Sequence, residues 1–290
     1  MTLNLTIVNP FGIWQGSDHR LTDPNTGVVV EDFSVKHVIL RCRDGSALLA
    51  YAGAGRIEKV DLSDWLRETL RGENRTLDES LIFIRENATK DLGALLSKRG
   101  VPHMFSVGAF LAGRPWCIQI RNFNPRAGLP EGPILDHFVT VAKQVDPSGQ
   151  SFIFGGTAVS DKDRCTLFGV ASRKPRRPKE FRNLLAAIIR RSAATEAGRR
   201  SISPHCVTSY VPPTGEPFES EFHDAKGANS ALTIPMLLFG IDTIEMQRNV
   251  MTALHASWVD CQQSVLGGGR QKFRGIKKPF AALKRPAYPT

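Results

Sequence analysis

With 290 residues, a net charge of +10 and ordinary apolar and charged fractions, the chain is long enough to bury a substantial core without covalent staples. Its five cysteines (Cys42, Cys117, Cys165, Cys206, Cys261) are odd in number, far apart and never in a C-x-x-C pair. That argues against a disulfide framework or a zinc ribbon and for a reducing compartment. The histidines are equally scattered, with no H-E-x-x-H and no carboxylate-rich loop, so no metal site and no cofactor are expected.

Met1 to Ile7 carries Asn4 and no basic segment, so no signal peptide is read there. The longest apolar stretch, Ala231 to Ile241, is about half a membrane span and contains Pro235. A cytoplasmic protein with no membrane partner is expected.

Leu3 to Val8 alternates weakly and Asn9-Pro10-Phe11-Gly12 reads as a turn, making Ile13 to Ser17 the return strand of a hairpin. Asp23-Pro24-Asn25-Thr26-Gly27 is a loop by composition. Val35 to Cys42 is rich in β-formers, Arg43-Asp44-Gly45 turns it, and Ser46 to Ala52 returns. Ser63 is a candidate cap for a short helix carrying Leu66 and Leu70, stopped by Gly72. A second helix opens with a capping box, Thr76-x-x-Glu79, in which each side chain satisfies a free backbone N–H. Leu81, Ile84, Ala88, Leu92 and Leu95 then follow at helical spacing up to Gly100.

Strands are expected again at Met104 to Leu111, Pro115 to Ile120 and Ser151 to Phe154. Helices are expected at Ser160 to Ser172 and Lys179 to Ala194, the second with Phe181, Leu184, Leu185, Ile188 and Ile189 on one face. Cys206 to Val211 reads as a strand, closed by Pro212-Pro213-Thr214-Gly215. Strand runs followed by paired helices, repeated, suit a layered α+β fold better than a parallel α/β sheet. Beyond them, Ile234 to Phe239 could add a strand and Thr243 to Val259 a helix. Gly267-Gly268-Gly269 then leads into a tail whose last stretch, Arg270 to Thr290, holds seven basic residues and no acid. A second basic cluster spans Arg173 to Lys179. Such runs are the footprint of nucleic acid or acidic partners but more often are solvated, and no nucleic-acid-binding motif accompanies these.

One set of residues carries a resemblance. Thr2 follows Met1, and Gly12-Ile13-Trp14-Gln15-Gly16-Ser17-Asp18-His19-Arg20 ends the first hairpin. Ser34-Val35-Lys36-His37-Val38 comes next, and then Tyr51-Ala52-Gly53-Ala54-Gly55. In order and spacing these resemble the proteasome β-subunit family, which includes the bacterial HslV peptidase. That family opens with Thr, continues with G-x-x-x-A-x-D-x-R and a K-V strand, and then has A-G-G-x-A-D. The resemblance covers residues 1 to about 212. It implies a four-layer αββα sandwich of the N-terminal-nucleophile (Ntn) hydrolase type. Residues 1–212 would form the proteasome-like domain, 213–266 an extension of uncertain structure and 267–290 a basic, disordered tail.

The resemblance further implies a threonine-type peptidase that cleaves amide bonds in a peptide or protein substrate, working as a homo-oligomer with room for an unfoldase partner. Thr2 would be the nucleophile once Met1 is removed, its free α-amine the base, since that amine titrates at about 7.7–8.0. Lys36 would ease deprotonation of the hydroxyl, Asp18 would hold Lys36 in place, and the Gly53 backbone N–H would receive the oxyanion. Gly53-Ala54-Gly55 lacks the third glycine of a dinucleotide loop. The alternative is a catalytically inactive proteasome-like protein that keeps the fold for assembly or binding.

The chain departs from the family pattern in three places. Lys36 is followed by His37 instead of an apolar residue, so a gapless reading puts His37 in the site. Strand side chains alternate, so only one of the two can face Thr2, and the need for a fixed cation favours Lys36. The family's G-S-G serine finds Gly156 within Phe154-Gly155-Gly156-Thr157. Its D-x-x-S-G-G finds Arg200-Ser201-Ile202-Ser203-Pro204, in which Ser203 matches and no aspartate is present.

Overall fold

The computed structural model describes residues 2–22, 28–32, 34–57, 60–126, 129–156, 159–171, 175, 177–215, 217–226, 229–231 and 234–266. The loop at 23–27 and the basic tail at 267–290 lie outside the described residues.

The chain opens with the hairpin β1 (Leu3–Asn9) and β2 (Gly12–Asp18), followed by the short pair β3 (Leu21–Thr22) and β4 (Val29–Glu31). A second long hairpin, β5 (His37–Arg41) and β6 (Gly45–Ala52), precedes the small pair β7 (Arg56–Ile57) and β8 (Val60–Asp61). Helices α1 (Leu62–Leu70), α2 (Leu77–Ala88) and α3 (Ala94–Lys98) follow, the last two joined by a π-helical turn over Thr89–Gly93. Next come β9 (Met104–Leu111), β10 (Arg114–Arg121), β11 (Asn124–Arg126), β12 (Leu129–Glu131), β13 (Val139–Gln144) and β14 (Ser151–Gly156). The helices α4 (Asp161–Ala171), α5 (Pro178–Ala194) and α6 (Glu196–Ser201) lead to β15 (Cys206–Val211). The chain continues with β16 (Glu219–His223), β17 (Asn229–Ala231), β18 (Met236–Leu238), β19 (Ile241–Asp242) and α7 (Thr243–Leu266).

The long strands form two sheets, in the orders β14-β1-β2-β15-β16-β17 and β13-β10-β9-β6-β5-β18-β19. Pairing is antiparallel apart from β18 beside β5. The sheets pack face to face, each covered outside by helices, giving a four-layer αββα sandwich. Leu3, Leu5, Ile7 and Trp14 of the first sheet pack against Phe181, Leu185, Ile188 and Ile189 of α5. Val38, Leu40, Leu49, Phe105 and Ile118 of the second pack against Leu66, Leu70, Leu81 and Ile84 of α1 and α2. Val8, Ile13, Ile39, Leu48, Phe110 and Val207 fill the space between the sheets.

Burial on both faces explains why β1 alternates so weakly in sequence. All seven of its residues are buried, with Leu3, Leu5 and Ile7 under the helices and Asn4, Thr6 and Val8 alternating toward the opposite sheet. Local signals are equally legible at α2, where Thr76 Oγ1 accepts from the Glu79 N–H (3.2 Å) and Glu79 Oε2 accepts from the Thr76 N–H (2.8 Å). Ser63 does not cap α1: it lies inside the helix, whose flanking residue Asp61 makes no side-chain cap. The helix expected to run unbroken to Gly100 loosens into a π turn at Thr89–Gly93. There Gly93 presses on the backbone of Asp136, whose carbonyl would stand 2.0 Å from any Cβ.

Residues beyond Pro212 extend both sheets through β16 to β19. Asp242 then caps α7, with Oδ1 accepting from the N–H groups of Ile244 (3.0 Å) and Glu245 (3.3 Å). Its Oδ2 receives Arg67 Nε (2.9 Å), which ties this helix start to α1. No helix among the described residues is long and apolar enough to cross a membrane.

The separation of the two sheets is held small by Gly108 on β9. A Cβ there would meet Ile13 Cγ2 at 2.5 Å, Val8 Cγ2 at 3.0 Å and Thr6 Cγ2 at 3.1 Å, all from the facing sheet. Gly108→Ala is expected to destabilise the protein by about 1–3 kcal/mol through overpacking. In urea titration the midpoint should fall while the slope is unchanged.

Candidate active site

The first hairpin brings Thr2 and Asp18 together, since Thr2 precedes β1, Asp18 ends β2, and the two strands pair with Asn4 opposite Ser17. The other side of β2 pairs with β15, which sets Cys206 opposite Asp18 and delivers the segment before it, including Ser203. Lys36 comes from the facing sheet, one residue before β5. Three chain segments thus meet at one end of the sandwich.

Lys36 Nζ lies 2.8 Å from Thr2 Oγ1, 3.1 Å from Asp18 Oδ1 and 2.6 Å from the Arg20 carbonyl. The Lys36 and Asp18 side chains are both 0 % exposed. Asp18 also accepts from the backbone N–H groups of Leu3 (2.8 Å, Oδ1), Arg20 (2.9 Å, Oδ2) and Ser203 (3.2 Å, Oδ2). Burial holds the Lys36 ammonium below its ordinary value, with the Asp18 carboxylate opposing that shift.

The hydrogen-bond inventory limits where protons can sit. The Arg20 carbonyl and a charged carboxylate can only accept, so two Lys36 N–H groups are committed to them. The third direction faces the Thr2 hydroxyl, which can accept from an ammonium or donate to a neutral amine. That geometry lets an ammonium at Lys36 donate to the Thr2 oxygen, or a neutral amine accept its proton.

His37 points the other way from Lys36 along the strand. Its Nδ1 lies 3.2 Å from Ser209 Oγ, in the layer between the sheets, and burial pushes it down to about 3. Gly53 follows β6 at the same end of the molecule, with φ +117°. A Cβ there would stand 2.3 Å from the Pro102 carbonyl and 2.9 Å from His103 Nδ1, so the turn accepts only glycine. Gly53 makes no hydrogen bond to Thr2, Asp18 or Lys36.

Sequence reasoning missed the backbone groups that complete the cluster. Arg20 serves through its own N–H and carbonyl, while its guanidinium pairs with Asp32 (Nε–Oδ1 2.6 Å) and not with Asp18. Ser203 contributes its N–H to Asp18, and its Oγ accepts from the His205 N–H (3.2 Å). At Gly156 (φ +92°) a Cβ would lie 1.5 Å from the Thr2 carbonyl oxygen. The backbone path at this position therefore excludes serine. Among the described residues no group of three or more His, Cys, Asp or Glu is arranged to hold a metal ion.

No protein-family model matches the sequence, and no curated protein matches it. Among solved structures the chain is similar to the helical assembly of the Anbu complex from Pseudomonas aeruginosa, with 13% identity and a TM-score of 0.50 over 95% of this chain and 100% of that one. An Anbu Gly-1 mutant from Hyphomicrobium sp. strain MC1 matches with 14% identity and a TM-score of 0.44 over 94% and 99% of the two chains. Anbu, described as an ancestral β-subunit, from Yersinia bercovieri matches with 11% identity and a TM-score of 0.44 over 95% and 100%. At such identities the likeness speaks to fold alone. These neighbours are Anbu complexes, and neither a family model nor a curated protein ties the chain to proteasome β subunits or to HslV. The resemblance drawn from the motifs is corrected accordingly, to a proteasome-like fold shared with Anbu.

Two expected outcomes follow from the buried groups. Asp18→Asn removes the charge that balances the buried Lys36 ammonium and sets an amide NH2 against N–H donors that the carboxylate now receives, and should cost about 3–5 kcal/mol in chemical denaturation at pH 7. Lys36→Met should cost less, because Asp18 keeps three backbone donors. The second outcome concerns His103, which is buried with neither ring nitrogen partnered among the described residues and is pushed down to about 3 by burial. An unfolded histidine takes up a proton below about 6.5, so the folded state loses stability as pH falls from there toward 3. His103→Phe should reduce that slope between pH 4 and 6 by about 1.4 kcal/mol per pH unit, measured by denaturation across pH.

Proposed function

We propose that the protein hydrolyses amide bonds, most directly those of peptides, with Thr2 as an N-terminal nucleophile after removal of Met1. The observation that carries this reading is the 2.8 Å contact from Lys36 Nζ to Thr2 Oγ1, made by a fully buried lysine anchored on Asp18. Few structural roles call for a desolvated ammonium aimed at a hydroxyl, whereas nucleophile activation does.

In this reaction Thr2 Oγ1 attacks the substrate carbonyl carbon, and its proton passes to the free α-amine. Lys36 stabilises the oxygen as the proton leaves, and Asp18 holds Lys36 in register. The Gly53 backbone N–H receives the tetrahedral oxyanion. Collapse breaks the C–N bond, and the α-ammonium returns the proton to the departing amine. Water, deprotonated by the same α-amine, then attacks the Thr2 ester; the ester C–O bond breaks, the α-ammonium returns its proton to Thr2 Oγ1, and the acid is released.

The same reading has the chain working among copies of itself. What supports this is the likeness to the P. aeruginosa Anbu chain, whose structure is described as a helical assembly. Light scattering of the purified full chain tests it: a monomer at all working concentrations would remove the assembly.

The hydrolase reading is tested on the N-terminus. Intact mass of the native protein should show Thr2 first. Thr2→Ala should lower turnover of a fluorogenic peptide pool by roughly a thousandfold or more, and Thr2→Ser should retain part of it. One residue inserted before Thr2 should abolish activity, because it moves the amine from the hydroxyl. Retained Met1, or equal labelling of wild type and Thr2→Ala by a threonine-directed probe, would leave the inactive assembly or binding protein in place of the enzyme.

A further inference from the structure

The opposite end of the sandwich holds a second concentration of polar groups. Three turns converge there: the β5–β6 turn, closed by Cys42 N–H to the Gly45 carbonyl (2.9 Å), the β9–β10 turn, and the β15–β16 turn, closed by Gly215 N–H to the Pro212 carbonyl (2.9 Å). The first two are stitched together by Ala112 N–H donating to the Asp44 carbonyl (3.1 Å). They surround a cavity of about 220 Å³ whose walls include Arg41, Arg43, Asp44, Ser46 and Phe110.

Arg41 is the unusual member. Its guanidinium forms no hydrogen bond or ion pair with any described residue, and its Nε is fully buried without a partner. It packs against the backbone of Gly215 (φ +83°), where a Cβ would stand 1.9 Å from Nη1. Beside it on β6, paired in register with Arg41, Ser46 is buried and its Oγ also has no partner among the described residues. Arg43 adds positive charge at the rim, held by a half-exposed contact to Glu79 (3.1 Å). Asp44, the one acid among the described residues of the wall, is engaged elsewhere, with Oδ1 accepting from the Leu77 N–H at the start of α2 (2.7 Å).

Buried polar groups without partners are rare in native proteins, and the Arg41 Nε–H is one of them. Carboxylates and phosphates match that fork with two parallel N–H···O bonds. We propose that this cavity is a binding site for an oxyanion, a carboxylate or a phosphate group, held by Arg41 with the Ser46 hydroxyl and Arg43 in support. The site is remote from Thr2: the five residues of β5 span about 17 Å from the Lys36 end to Arg41. It does not depend on the hydrolase reading.

Calorimetric titration of the full chain with inorganic phosphate and, separately, with acetate, at constant ionic strength, tests the site. Wild type should give saturable binding of at least one of them. Arg41→Gln should weaken it roughly tenfold or more, and Ser46→Ala by several-fold. Arg164→Gln, on the exposed face of α4, should leave it unchanged. Saturation by phosphate alone assigns a phosphate site, by acetate alone a carboxylate site, and by both a general oxyanion site. Should Arg41→Gln fail to fold by circular dichroism, Arg43→Gln and Ser46→Ala decide instead, because Arg43 is half exposed. No saturable heat with either anion, or undiminished affinity in the variants that fold, overturns the proposal.

Discussion

The Lys36–Asp18 pair is where the constraints on this molecule meet. Two full charges taken out of water carry a desolvation cost that their mutual attraction offsets only if every remaining donor and acceptor is satisfied. Here that condition is met by recruiting the backbone of three separate segments. Leu3, Arg20 and Ser203 supply N–H groups to the carboxylate, and the Arg20 carbonyl and Thr2 hydroxyl take up the ammonium. The start of β1, the end of β2 and the approach to β15 are thereby fixed against the start of β5. One buried pair thus sets the mutual position of the two sheets at this end.

The rest of the sandwich allows that placement by letting backbones approach closely. Gly16 lets α5 settle on β2, where a Cβ would meet Leu185 Cβ and Ile189 Cδ1 at 3.1 Å each. Gly156 lets β14 run beside the Thr2 carbonyl. Trp14 locks the outer layer, donating Nε1–H to the Pro178 carbonyl (3.0 Å) and packing between Phe181 and Tyr210 at centroid distances of 4.7 and 5.0 Å. A lysine buried at the seam between sheets needs such a rigid surround, since solvent entering the seam would remove the low dielectric that perturbs it.

The two ends of the strands carry different chemistry. At one end a cation and an anion are paired with a hydroxyl between strand termini. At the other, Arg41 Nε and Ser46 Oγ have no hydrogen-bond partner among the described residues, in a cavity made by three turns. Strand β5 connects them, beginning beside Lys36 and ending at Arg41. Residues after Pro212 bear on the second end through the β15–β16 turn and through β18, which lies parallel to β5 with Leu238 opposite Arg41.

Much of this was written locally. Thr76 and Glu79 announce α2, Leu81 and Ile84 set its buried face, and the β-rich runs around Val38 and Val107 mark central strands, because caps and periodicity act over a few residues. The spacing of Thr2, Asp18, Lys36 and Gly53 is likewise a property of the chain. The sequence did not determine which way β5 faces, and the choice between Lys36 and His37 rests on contacts with a sheet formed from residues far away. Nor did it reveal the π turn at Thr89–Gly93, which answers to Asp136, or the pairing of Arg20 with Asp32 instead of Asp18. The parallel insertion of β18 beside β5 and the unpartnered state of Arg41 were equally hidden. Each depends on a neighbour distant in the chain, and only packing in three dimensions decides which distant groups meet.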